Sequence, residues 1–189
     1  MRTAAAAGTF ILGAATVVAM TGTAATAAPK CWTGSWKVTS ANADLDSENL
    51  KFALKGGSGI KLKLAKDGKA TYDFTGSKPL VGSGTVKGVP TQATLSLTKK
   101  LTIKNKITGS AKGRIIGKPK SAKGDATLTV TSGMVVQKLN VPREVRRNGD
   151  MGVVPRAAGY TCKGRTLTIR QTVKRADLVS KTVWRLKRA

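Results

Sequence analysis

The chain is written largely in a period of two. From Trp32 onward, Trp32, Gly34, Trp36 and Val38 share one face, while Thr33, Ser35, Lys37 and Thr39 share the other. Residues 60–64 read Ile-Lys-Leu-Lys-Leu, and Ala70, Tyr72 and Phe74 alternate with Thr71, Asp73 and Thr75. The same rhythm returns at Ala93-Leu95-Leu97, Leu101-Ile103, Ala126-Leu128-Val130, Leu167-Ile169-Val173 and Trp184-Leu186. Apolar residues at every second position, with Thr, Lys and Arg between them, predict strands buried on one face and solvated on the other. Asp67-Gly68 between two such runs predicts a hairpin. Counting runs gives about eight to ten short strands separated by Gly-containing turns, which points to a sandwich or an up-and-down barrel. The expectation at this point is an all-β fold, either a sandwich or a single antiparallel β-barrel.

Two stretches depart from the rhythm. Residues 43–55 put Leu45, Leu50 and Leu54 roughly on one side of a helix, behind acidic residues that suit a helix N-terminus, so one short helical stretch is expected there. Residues 137–158 contain Pro142, Pro155 and several arginines without a steady period, and read as a long mobile loop or lid.

The N-terminus changes the setting. Arg2, a small apolar run from Ala4 to Met20 and the Ala25-Thr26-Ala27 step have the layout of a secretory signal peptide. Residues 1–27 are therefore expected to leave, and residues 28–189 to form one exported domain, found outside the cell or at the cell wall. The chain has 34 Lys and Arg against 9 Asp and Glu, a net charge of +25, of which the signal removes only Arg2. Such a charge attracts polyanions through many salt-screened contacts. Two cysteines in an exported chain predict one disulfide, Cys31–Cys162.

The residue inventory argues against catalysis. There is no histidine, so the usual near-neutral base and the common zinc sites are missing. With both cysteines paired no thiolate remains, and the carboxylates are scattered, so the chain reads as a non-enzyme without cofactor or metal. Asp44, Asp46 and Glu48 resemble the opening of a calcium loop, but Asn49 stands where Gly is needed and Lys55 where a carboxylate is needed. Residues 99–123 carry nine basic residues and no acid, with no aromatic platform beside them. They read as a generic electrostatic surface, and no specific nucleic-acid recognition is expected.

The Gly34-Ser35-Trp36 step brings a family into view. Cys31-Trp32-Thr33-Gly34-Ser35-Trp36, Gly56-Gly57-Ser58-Gly59, Asp67-Gly68 and the late Tyr160-Thr161-Cys162-Lys163-Gly164 resemble small secreted lipocalin-like proteins of actinobacteria, within the wider calycin barrels. Avidins share an early Cys and Gly-x-Trp and a terminal Lys-Thr-x-Trp, but no biotin site transfers. The resemblance covers both ends and the second and third strands, and covers 76–155 poorly. It implies that Trp36 plugs the closed end of a barrel behind Gly34, with a late basic residue stacked on it. Arg185 is the candidate by spacing; alternation turns it outward, which keeps Arg188 as the alternative.

Such barrels often hold a small apolar ligand. The inward set Leu62, Leu64, Tyr72, Phe74, Leu95, Leu97, Leu128, Val130 and Trp184 either lines a cavity for one or fills the interior. The expected function is a monomeric secreted barrel that binds a small, partly apolar or amphipathic ligand. The alternative is a cationic envelope protein that binds anionic polymers (wall polymer, anionic lipid or nucleic acid) with no barrel ligand.

Overall fold

The computed structural model describes residues 30–148 and 152–189; the expected signal segment, residues 1–27, lies outside them. Among the described residues, fourteen strands run in chain order. They are β1 Gly34–Asp46, β2 Leu50–Gly56, β3 Lys61–Leu64, β4 Lys69–Asp73, β5 Leu80–Val86, β6 Val89–Thr98 and β7 Lys100–Thr108. The second half holds β8 Lys112–Gly117, β9 Lys123–Gly124, β10 Thr127–Ser132, β11 Val135–Asn140, β12 Ala157–Lys163, β13 Thr166–Arg175 and β14 Leu178–Arg188. One helix, α1 Val141–Asn148, follows β11.

Eight strands close a barrel in the order β1, β3, β4, β7, β8, β12, β13, β14 and back to β1, with every neighbouring pair antiparallel. The seam is closed at both edges of β1: Gly34–Lys37 pair with β3, and Trp36 to Asp46 pair with β14. The remaining long strands form a wing. It runs outward from the far half of β1 as β2, β5, β6, β10 and β11, and ends at β11. β1 serves both parts because its register shifts between Val38 and Ser40. Such a bulge adds one residue and changes which side chains face in. Trp36 and Val38 point inward before it, and Ala41 and Ala43 after it.

The interior is packed with the residues that alternation nominated. Trp36, Leu62, Leu64, Tyr72, Phe74, Leu101, Ile103, Leu167, Ile169, Trp184 and Leu186 are each no more than 2% exposed. Tyr72 and Phe74 lie 6.0 Å apart with parallel rings, and Trp184 meets Tyr72 edge-on at 6.1 Å. The Asp67-Gly68 hairpin joins β3 to β4 as expected, with Asp67 Oδ1 accepting from the Lys69 amide at 2.9 Å.

Two expectations need correction. Residues 43–55 are not helical. They are the end of β1, a turn in which the Ser47 amide donates to the Leu50 carbonyl, and β2. Leu50, Phe52 and Leu54 in fact alternate, and the pairing of Leu45 with Phe52 and Ala43 with Leu54 places them together on the inner face of the wing. The acids that suggested a helix start lie at the β1–β2 turn and along the strand before it.

Residues 137–158 are not a loop or lid as a whole; of the segment, 149–151 lie outside the described residues. Val135–Asn140 pair with β10, and Asn140 caps α1 by accepting from the Arg143 amide at 2.9 Å. Pro142 sits in the first turn, where its missing N–H costs nothing. Val141, Val145, Val153, Val154 and Pro155 are buried, and the Arg156 amide donates to Gln171 Oε1 at 2.7 Å. Apolar burial and backbone hydrogen bonds hold this insertion against the barrel end opposite Trp36.

Candidate functional site

Two places in the fold gather the residues that chemistry would use. The first is the closed end of the barrel. The disulfide Cys31–Cys162 forms, with its Cα atoms 6.0 Å apart across a sequence separation of 131 residues. It ties the segment before β1 to β12. Trp36 Nε1 donates to the Trp32 carbonyl at 2.9 Å, and Trp32 Nε1 donates to the Gly109 carbonyl at 3.1 Å. Over Trp36 lies a guanidinium, 4.4 Å from the ring centroid, and it belongs to Arg188. Arg188 also donates to the carbonyls of Thr33 and Cys31, both at 2.9 Å. Gly34 stands at φ +120°, and a Cβ there would strike the Arg188 guanidinium. The Gly-x-Trp spacing is thus explained: glycine leaves room for the arginine that covers the tryptophan.

Arg185 is the correction at this end. It pairs with Ser40 across the strand and is exposed, whereas Trp184, Leu186 and Arg188 alternate toward the core. Spacing to the last tryptophan pointed to Arg185; the period of two pointed to Arg188, and the period wins. With Trp36 fully buried beneath Arg188, this end is a structural closure.

The nine apolar candidates for ligand contact divide between the two parts of the fold. Leu62, Leu64, Tyr72, Phe74 and Trp184 are in the barrel core; Leu95, Leu97, Leu128 and Val130 are on β6 and β10 of the wing. All nine pack in one continuous apolar cluster. Burial raises the phenol pKa of Tyr72 well above its ordinary value, and raises that of Tyr160, whose hydroxyl donates to the Thr108 carbonyl at 3.0 Å. Both phenols are neutral core groups, not titrating site residues.

The second place is on the surface. A cleft of about 670 Å³ is lined by Gly117, Lys118, Pro119, Lys120, Arg146, Arg147 and Arg156. Three elements build it. The chain leaves β8 at Gly117 and turns through a short 3-10 segment, Pro119–Ser121, which presents Lys118 and Lys120. The last turn of α1 supplies Arg146 and Arg147, where cations complement the helix dipole. Arg156 is fixed just ahead of β12, its carbonyl accepting from the Gly117 amide at 2.7 Å. Arg146 is anchored by a bond to the Ala122 carbonyl at 2.6 Å. Five cations converge, with no carboxylate among the described residues of the lining. The ion pairs Lys99–Asp125 and Lys100–Asp73 involve none of them.

Lys118 also lines a neighbouring cleft of about 320 Å³, with Lys30, Lys66, Asp67 and Lys106. The basic stretch 99–123 therefore becomes one side of the barrel. Lys104, Lys106, Lys112 and Arg114 project outward from β7 and β8, and lead to Lys118 and Lys120. Sequence reasoning saw the charge run and missed the cleft. Its other half comes from residues some thirty positions later, which no local pattern connects to it.

Among the described residues, no group of three or more His, Cys, Asp or Glu could hold a metal, and both cysteines are in the disulfide. The chain matches no protein-family model, no curated protein and no solved structure.

Proposed function

We propose that this protein is an exported, cation-rich binding protein that grips an anionic polymer of phosphodiester character outside the cell, with the barrel as a solid support. The observation that carries the reading is the rim cleft: five basic side chains on three elements, converging without a carboxylate among the described residues. A disulfide-bearing barrel fits an oxidising compartment. The described aromatic side chains are all buried, so the surface offers charge without stacking platforms. That suits a backbone of repeated phosphates and not the reading of bases. Binding, not catalysis, is the role this inventory supports, and a monomer is sufficient for it.

The test is retention on a polyphosphate or wall-polymer resin as salt is raised. Affinity should fall linearly on a log–log plot, and each cleft cation changed to glutamine should lower the slope by about one. If the variant carrying Lys118→Gln, Lys120→Gln, Arg146→Gln, Arg147→Gln and Arg156→Gln eluted with the wild type, the cleft would not be the site.

The closed disulfide-bearing barrel is also compatible with a small-ligand carrier, the reading to which the lipocalin-like motif leads. That reading needs interior space, and the nine residues that would line it are packed against one another. Native mass spectrometry of protein purified from its own culture separates the two: a reproducible bound mass would favour the carrier.

A further inference from the structure

The wing carries a surface that the basic cleft does not use. Seven large apolar side chains are exposed among the described residues, and six of them belong to the wing: Val81, Val86, Val89, Met134, Val135 and Val136. Five of the six cluster at the ends of two hairpins. Lys87-Gly88 turns β5 into β6 between Val86 and Val89; Gly133-Met134 turns β10 into β11 before Val135 and Val136. Met134 is fully exposed, and Val89 and Val135 are 62% and 69% exposed.

The pairing shows how these residues came to be uncovered. Val89 lies on the same face of β6 as Leu97, and Val135 on the same face of β11 as Leu139, which pairs with Leu128. That face is buried near the barrel, where Leu97 and Leu128 are 4% exposed. It continues outward with its apolar pattern intact and loses its cover. Val136 points to the opposite face, and Met134 stands at the turn itself. A flat protein partner, or a second copy of this chain, would cover one face of such a hairpin. An acyl layer surrounds both.

The charge favours the same occupant. β5, β6, β10 and β11 contain no acidic residue, Lys87 sits in one tip turn and Lys138 close behind the other, and the whole chain is strongly cationic. We propose that the two hairpin tips dip into the interfacial layer of an anionic bilayer. Val86, Val89, Met134 and Val135 enter the acyl boundary, and Lys87 and Lys138 reach back to lipid phosphates. The proposal does not depend on the polymer reading, because no tip residue lines the cleft.

The experiment places a reporter at the tip. The three native tryptophans are buried, so Met134→Trp adds the one indole that should respond. With phosphatidylglycerol vesicles it should shift to shorter wavelength and be quenched by brominated acyl chains. With phosphatidylcholine vesicles it should do neither. Val89→Asp with Val135→Asp should lower vesicle binding at least tenfold, while retention on polyphosphate resin and the melting temperature hold. Three results would overturn the proposal. One is vesicle binding without quenching and indifferent to the aspartates, which is attraction by charge alone. Another is no binding to phosphatidylglycerol vesicles. The third is a dimer in sedimentation that Val135→Asp dissolves, which would make the tips a contact between copies.

Discussion

The barrel and the wing follow the same sequence rule and end in different states. Both alternate apolar with polar residues, and both pair antiparallel throughout. In the barrel the rule yields Leu62, Ile103, Ile169 and Leu186 at 1% exposure or less. In the wing it yields Val89 and Val135, which stand mostly in water. Ring closure makes the difference. A closed sheet brings its inner face against itself and leaves no unpaired edge. An open one buries its inner face only as far as something covers it. In the wing that cover fails toward the hairpin ends. The curl of the wing near the barrel is tight: a Cβ at Gly84 would lie 2.7 Å from the Phe52 Cα on the neighbouring strand. Gly82 and Gly84 are thus strand residues of β5, where β2 comes too close for a side chain.

If this contrast is right, removing what fastens the barrel should cost much and altering the wing tips little. Cys31→Ser with Cys162→Ser should lower unfolding stability by about 4–5 kcal/mol in the chain-entropy account, because the bridge closes a very long loop. Denaturant titration would show it, with a steeper slope because the unfolded chain without the bridge exposes more surface.

Next in size is Arg188→Ala, expected to cost about 2–3 kcal/mol. It strips a charged donor from two buried-side carbonyls and uncovers Trp36. Arg185→Ala, three residues earlier, should stay within about 0.5 kcal/mol. Equal losses for the two would undo the assignment of the closed end.

Alkaline pH probes the barrel interior. The raised folded pKa of Tyr72 means that the folded state holds its phenolic proton more tightly than the unfolded chain. The stability this gives is complete below the unfolded value of about 10 and is lost as pH rises toward the folded value. Above pH 10 it should fall by about 1.4 kcal/mol per pH unit for this residue. The chain has two tyrosines. Their ultraviolet ionisation should be delayed and should coincide with loss of near-ultraviolet dichroism. Free titration near pH 10 in a folded protein would contradict the packed interior. The smallest effect belongs to the wing: Val89→Thr should change stability by less than about 0.5 kcal/mol, and amides of β11 should exchange with solvent far sooner than those of β13 and β14.

Much of the barrel was legible, and particular residues show why. Leu62, Leu64, Tyr72 and Phe74 flank the Asp67-Gly68 turn, so pattern and turn chemistry agree over a short span. Asn140 followed by Pro142, with Val141 and Val145 one turn apart, also marked a helix start, but the mixed composition around it hid the signal. At 43–55 the turn between Asp46 and Leu50 interrupts an alternation that is regular on either side, and a strand, turn and strand read straight through imitate a helical spacing. The basic half of the rim cleft was visible as a run of lysines. Its arginines were visible too, but the closeness of the two groups was not, since it depends on how the α1 insertion folds back over the barrel end.

By itself, the order of residues determined most of the strands, their inward faces and the cysteine pair, and narrowed the arginine over Trp36 to two, because each follows from a period of two or from simple residue chemistry. Which faces close on themselves, which stay open and which distant cations converge was decided only in three dimensions. Those outcomes depend on long-range pairing: β1 holds β3, β14 and β2 at once, and no local stretch of chain encodes that arrangement.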